Sequence, residues 1–345
     1  MIENRNRMLL GGALRDVLQS VDRAAELARS IQQHAPRPRE KHDKSPVTVA
    51  DLAVQAVVAS ALERAFPEEP LVAEEDASAF GRADGRLLAE QTLTFARTLL
   101  PALTQTDLVR LLSRGAGSCT SRFWTLDPID GTEGFLRNGH YVVSLALVED
   151  YHPAIAMLGC PTLDAEERHG NHRGLVMVAR RGGGTWISPM GATNFERVSV
   201  SEVCTLRDAR MLRSVAESHI DVDRTRKVTE AAGIERPPAL MDSQAKHVAI
   251  ASGRADLLVR IPASADYRER IWDHAAGALA IEEAGGHVTD LDGRPLDFHT
   301  GRRFERNRGI VAANRHLHPL ILDVLRVVGG WWLVVGGWWL GPQPL

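Results

Sequence analysis

Asp127 and Asp130 end an apolar run, Trp124-Thr125-Leu126-Asp127-Pro128-Ile129-Asp130-Gly131-Thr132. Phe123 to Leu126 reads as the end of a buried strand, and Pro128, which has no amide hydrogen, is expected to stop further pairing. The two carboxylates on a stiff turn then point the same way, and Gly131-Thr132 open a helix whose free amides face outward. Oxygen-only ligands suit Mg²⁺, a hard cation usually held by a few carboxylates together with phosphate oxygens. The same acids serve as well as a turn residue and a helix cap, the commoner role of Asp-Pro and Asp-Gly pairs.

Two other stretches offer carboxylates to the same corner. Pro70-Leu71-Val72-Ala73-Glu74-Glu75-Asp76 is a short apolar strand running into three acids, which repel one another unless a cation or water separates them. Glu74 is the best placed of the three, and a solvated acidic turn is the plainer alternative. Asp273, in Ile271-Trp272-Asp273-His274-Ala275-Ala276-Gly277, falls in the first turn of a small-residue helix, where an acid either complements the helix dipole or acts as a ligand.

These acids need elements to carry them. Leu9 to Gln33 has helical spacing and predicts a long surface helix packed on a sheet, and Leu52 to Phe66 predicts a second helix capped by Thr48 or Asp51. The charged, proline-broken segment Arg37 to Thr48 between them reads as a loop. Gly85 to Arg114 predicts one or two helices broken near Pro101, with no chemistry. Tyr141 to Glu149, Pro153 to Gly159, Gly174 to Arg180 and Gly184 to Ile187 read as strands. Beyond Leu206 strand-like and helical stretches alternate, which predicts an α/β unit with a mostly parallel sheet. The expected division is residues 1–205, an α+β part carrying most of the acids; 206–326, an α/β part; and a tail, 327–345, which repeats Val-Val-Gly-Gly-Trp-Trp-Leu and is too short and glycine-rich to span a membrane.

Composition narrows the classes. Lys plus Arg total 41 against 44 Asp plus Glu among 345 residues, a net charge of -3, so no general basic field exists for nucleic acid and an anionic ligand must be met by local charges. Cys119, Cys160 and Cys204 are far apart, without a CxxC pair or nearby histidines, which fits a reducing compartment. With a polar start and no hydrophobic signal core, the chain reads as cytoplasmic, without a membrane partner.

Glu74-Glu75, then Asp127-Pro128-Ile129-Asp130-Gly131-Thr132, then Trp272-Asp273-His274-Ala275-Ala276-Gly277, in that order, resemble the signature of the inositol monophosphatase-like superfamily of metal-dependent, lithium-sensitive phosphatases. The order and spacing of three motifs are far more specific than any one of them. Within that superfamily the chain is most similar to the 3'(2'),5'-bisphosphate nucleotidases, which remove the 3'-phosphate of adenosine 3',5'-bisphosphate. Lys41-His42-Asp43-Lys44-Ser45-Pro46-Val47-Thr48, Gly134-Phe135-Leu136-Arg137 and Met241-Asp242-Ser243-Gln244-Ala245-Lys246 carry that likeness, which spans roughly residues 10 to 325. Glu133 departs from it, since these enzymes commonly have lysine there.

The resemblance implies an α/β fold, mixed α+β and α/β, arranged as a layered αβαβα sandwich. It implies two or three Mg²⁺ ions, one held by Glu74, Asp127 and the Ile129 carbonyl, a second by Asp127, Asp130 and Asp273, with Asp51 near a third. Asp43 and Thr132 would orient and deprotonate the attacking water, and amides of Gly131 and Thr132 would hold phosphate oxygens. Ser243, Lys246, His219 and Arg260 would contact a small phosphorylated nucleotide, with Lys246 and Arg260 supplying the local positive charge. An inositol phosphate or other sugar phosphate is the alternative substrate, and a non-catalytic phosphate sensor the alternative class.

Overall fold

The computed structural model describes residues 10–34, 39–40, 46–81, 85–164, 173–215 and 220–329. Helix α1 (Gly12–His34) buries Val17, Val21, Ala24, Ala28 and Ile31, the stripe expected of an amphipathic helix lying on a sheet. Two-residue strands β1 (Arg39–Glu40) and β2 (Pro46–Val47) follow and pair antiparallel. Helix α2 (Val49–Ala65) is alanine- and valine-rich and almost wholly buried. Its start is a capping box in which Thr48 Oγ1 accepts the Asp51 amide while Asp51 Oδ2 accepts the Thr48 amide at 2.8 Å.

The first sheet runs β3 (Leu71–Ala73), β4 (Arg122–Asp130), β5 (Val142–Glu149), β6 (His152–Asp164), β7 (Arg173–Arg180), β8 (Gly184–Pro189), β9 (Glu196–Val198), in that spatial order. Only β3 and β4 pair parallel, with α3 (Gly85–Ala96) and α4 (Gln105–Ser113) in the crossover between them. Trp124, fully buried in β4, packs on Phe66 with ring centroids 5.4 Å apart and donates Nε1 to Glu69 at 2.6 Å, which ties the end of α2 to the sheet.

After α5 (Thr132–Leu136), which joins β4 to β5, the remaining elements build a second sheet. They are β10 (Met211–Arg213), α6 (Val222–Ala231), β11 (Ala239–Leu240), α7 (Ala245–Ala251), β12 (Leu257–Arg260), α8 (Ala275–Glu283), β13 (Gly286–Thr289), β14 (Ile310–Asn314) and α9 (Leu317–Gly329). Its order is β11-β10-β12-β14-β13, with β10 parallel to β11 and β12 but β14 antiparallel to both neighbours. The mostly parallel sheet predicted from the alternating pattern is thus mixed. The connection from β13 to β14 is a helix-poor loop, and a strand reached that way lies antiparallel.

Three apolar clusters stack through the molecule. The first fills the space between α1, α2 and one face of the seven-stranded sheet; the second lies between its other face, α7, α8 and the five-stranded sheet; the third joins that sheet to α6 and α9. The result is the layered αβαβα arrangement expected from the sequence. Helix α8 occupies the middle layer because Ala275, Ala276, Gly277 and Ala278 present almost no bulk, and a Cβ at Gly277 would lie 2.5 Å from the His247 ring of α7. Among the described residues no helix is long and apolar enough to cross a membrane, and residues 330–345 of the repeat-bearing tail lie outside them.

Candidate active site

Parallel pairing of β3 with β4 brings the first two acidic stretches together. Ala73 pairs with Leu126, and the Glu74 amide donates to the Leu126 carbonyl at 3.0 Å, so Glu74, just past the end of β3, lies beside Asp127 of β4. The start of α2 closes on this corner, where carboxylate oxygens of Asp51, Glu74 and Glu75 lie within 4.8 Å of one another. Gln55 holds the turn, its amide donating to the Glu75 carbonyl at 2.6 Å and accepting the Glu75 amide at 3.3 Å. The sequence reading placed Glu74 ahead of its neighbour, yet Glu75 is the more buried. A turn after a three-residue strand does not tell which side chain faces inward.

Pro128 does not end β4. Pairing with β5 resumes at Asp130 and Val142 after Asp127 and Ser144, so three residues on β4 span two on β5. This bulge accommodates the proline and turns the backbone between the two acids. Asp127 is 2 % exposed and Asp130 half-buried. The Ile129 carbonyl accepts the Thr132 hydroxyl at 3.2 Å. Asp43 lies outside the described residues.

Gly131 follows with φ +89°, and a Cβ there would come within 2.8 Å of Ser243 Cβ. The close approach lets α5 sit against the turn before α7. Glu133, the departure from the nucleotidase pattern, is exposed and pairs with Arg137 at 3.5 Å, while Arg137 also binds Asp242 at 2.8 Å. Its negative charge is thereby shared with a cation just past the end of its own helix.

The residue that assembles the site is Gln244, quoted in the sequence string but given no role there. Its amide hydrogen goes to Asp130 Oδ2; its side chain donates to Ser144 Oγ at 2.8 Å and to the Trp272 carbonyl at 3.0 Å and accepts the Gly277 amide at 2.8 Å. One buried amide thus registers β4, β5 and the segment bearing Asp273. Replacing Gln244 with alanine leaves those buried partners unsatisfied, at a cost on the order of 3 kcal/mol. Denaturant unfolding should show that loss, with at least about a tenfold fall in turnover as Asp273 shifts from Asp130.

Asp273 itself precedes α8 instead of sitting in its first turn. It closes a 3₁₀ turn, Ile271–Asp273, and the helix begins at Ala275. Burial raises the Asp273 pKa well above the ordinary carboxylate value, and the negative charges of Asp130 and Glu74 push it further. Burial also lifts Asp130 to about 6, opposed by Lys246 and the Gln244 hydrogen bond. Carboxylates from three separate segments thus converge, with Asp130 and Glu74 opposing the ionisation of Asp273 and oxygen as the donor atom throughout. Such a set fits hard divalent cations, which remove that repulsion.

A second group of charges lies beside the acids. Lys246, 2 % exposed on α7, donates to the Met241 carbonyl at 3.0 Å, and burial lowers its pKa to about 8, with Arg260 adding to the effect. Arg260, the last residue of β12, donates through Nε and Nη2 to the Glu269 carboxylate at 3.2 and 3.3 Å. His274 meets Glu269 at 3.2 Å through Nε2. Burial favours a neutral Glu269, but Arg260 and His274 outweigh it and hold the acid well below its ordinary value. Ser243, with φ +64°, donates its hydroxyl to the Asp242 carbonyl at 2.6 Å and accepts the Ala245 amide at 3.2 Å. His219 lies outside the described residues. Glu269 went unread in the sequence because Tyr267-Arg268-Glu269-Arg270 has the look of a solvated charge run.

Comparison with known proteins identifies the family and the fold. The model of the inositol monophosphatase family matches residues 13–328. A 3'(2'),5'-bisphosphate nucleotidase of Schizosaccharomyces pombe is 36% identical over 303 residues, 84% of this chain and 86% of that protein. One of Dictyostelium discoideum is 35% identical, covering 83% of this chain and 87% of its own length. Among solved structures, a Thermotoga maritima IMPase superposes with a TM-score of 0.64 at 21% identity over 92% of this chain and 98% of that one, a likeness of fold. With the match running from α1 through nearly all of α9, the chain belongs to the inositol monophosphatase family.

Proposed function

We propose that this protein is a Mg²⁺-dependent phosphatase that removes the 3'-phosphate of adenosine 3',5'-bisphosphate. The observation that carries the reading is a cluster of carboxylates placed directly beside two cations, Lys246 and Arg260, in a chain with no overall basic charge. A phosphate to be cleaved suits the acidic side once cations are present, and a second phosphate suits the basic side. The relatives named above share this substrate class by name.

In this reading Glu74, Asp127, Asp130, Asp273 and the Ile129 carbonyl hold Mg²⁺, with Asp51 and Glu75 available to a further ion. Bound Mg²⁺ supplies positive charge that acidifies a water and stabilises the leaving alkoxide. Thr132, with Asp43, aims the attacking water and takes its proton, since in-line displacement requires the nucleophile along one axis. For that role the Thr132 hydroxyl exchanges its present bond to the Ile129 carbonyl for one to the water. Amides of Gly131 and Thr132 bind phosphate oxygens. Ser243, Lys246, His219 and Arg260 hold the nucleotide, Lys246 and Arg260 by charge. A reducing, cytoplasmic setting belongs to the same proposal, supported by three free cysteines.

Phosphate release by the purified protein with Mg²⁺ tests the reading. Adenosine 3',5'-bisphosphate should be the preferred substrate and yield adenosine 5'-monophosphate, while 5'-monophosphate alone releases nothing. Faster release from an inositol phosphate would assign the chain to sugar-phosphate chemistry instead.

A further inference from the structure

We propose that Glu269, backed by His274, is a positioning residue that holds Arg260 edge-on to the site and so makes the enzyme select a substrate with a second phosphate. The inference rests on the nucleotide reading above and adds to it a residue that never touches the substrate.

The geometry is specific. Glu269 takes the Nε and Nη2 edge of Arg260 in a two-bond fork, which fixes the guanidinium plane. Among the described residues the Nη1 edge makes no hydrogen bond. That edge is left to an anion. Glu269 is 4 % exposed, and its own backbone is anchored, since its carbonyl accepts the Phe304 amide at 3.0 Å and the next residue, Arg270, bridges to Arg303. His274 bonds Oε2, the oxygen that also accepts Nη2, and stops the carboxylate from rotating away.

Charge balance points the same way. Lys246 and Arg260 lie close enough to oppose each other's charge, and Glu269 offsets one of the two. Remove the carboxylate and the guanidinium loses both its tether and its counter-charge, so it turns from Lys246. A substrate carrying only the scissile phosphate has no use for the Arg260 edge and is indifferent to the loss.

The test compares adenosine 3',5'-bisphosphate with adenosine 3'-monophosphate as substrates of wild type, Glu269→Gln, Glu269→Asp, Arg260→Met and the double variant Arg260→Met/Glu269→Gln. Wild type should show the lower KM for the bisphosphate. Glu269→Gln should raise that KM about tenfold or more, the size of a lost charge-assisted bond, with kcat within about twofold and the monophosphate KM unmoved. Glu269→Asp keeps the charge, loses one of the two bonds and should fall between. The double variant leaves no buried charge uncompensated and should match Arg260→Met alone. A Glu269→Gln or Glu269→Asp enzyme with the wild-type KM ratio overturns the proposal, as does an equal change for both substrates. No preference for the bisphosphate in wild type overturns the substrate reading itself, and this proposal with it.

Discussion

Asp127→Asn should abolish turnover while leaving the fold intact. The side chain is 2 % exposed at the β4 bulge against β5, and asparagine matches its shape, so packing is conserved. What changes is charge. With Asp51, Glu74, Glu75, Asp130 and Asp273 drawn to the same corner, removing one negative charge relieves repulsion in the metal-free protein, and its melting temperature should hold or rise. Activity with Mg²⁺ should fall by far more than the roughly hundredfold typical of residues that merely support metal ligands. A second readout is independent of catalysis. Mg²⁺ at about 100 times its Kd stabilises a native site by roughly 2.7 kcal/mol, and that thermal shift should appear in wild type and vanish in the variant. Unchanged turnover, or an unchanged Mg²⁺ shift, removes Asp127 from the site.

Lys246→Met should make the protein more stable at pH 7 and a worse enzyme. The ammonium is buried with a pKa moved from its ordinary 10.5 to about 8, so the folded protein tolerates the charged form poorly. At about 1.36 kcal/mol per pKa unit, the displacement corresponds to roughly 3 kcal/mol. Below pH 8 folded and unfolded chains both carry the proton and the full cost is present. Between pH 8 and 10.5 the unfolded chain binds more protons, so stability rises with pH across that window for the wild type. The gain from methionine is therefore largest at neutral pH and shrinks toward pH 10. Meanwhile KM for a bisphosphate should rise about tenfold or more, since a charge-assisted bond is worth some 1.5–3 kcal/mol. Denaturant melts at pH 7 and 10, with KM at pH 7, check both halves. A variant less stable than wild type at pH 7 rejects the account of Lys246 as a strained cation kept for binding, a trade familiar at active sites.

Different residues were legible in the sequence for different physical reasons. Asp127 and Asp130 stood out because Pro128 and Gly131-Thr132 restrict the backbone around them whatever the rest of the fold does, although the proline was absorbed by a bulge and β4 continued to Asp130. Asp273 was identified but placed one turn too late, since a 3₁₀ turn and a helix start share the same local signals. Lys246 on a helix and Arg260 on a strand are residues that usually face solvent. The burial of Lys246 and the partial burial of Arg260 come from α7 lying in the middle layer and β12 beneath it, which no window of sequence contains.

Local sequence settled the element types, the acids and the turn glycine, because strand, turn and helix preferences act over a few neighbouring residues. Which acids meet was decided by the parallel β3–β4 register, and Asp273 joined them through Gln244, whose amide reaches across 28 and 33 residues to Trp272 and Gly277. The Arg260–Glu269–His274 chain likewise exists only once the second sheet has formed, since charge and hydrogen bonding fall off with distance in space and are indifferent to distance along the chain.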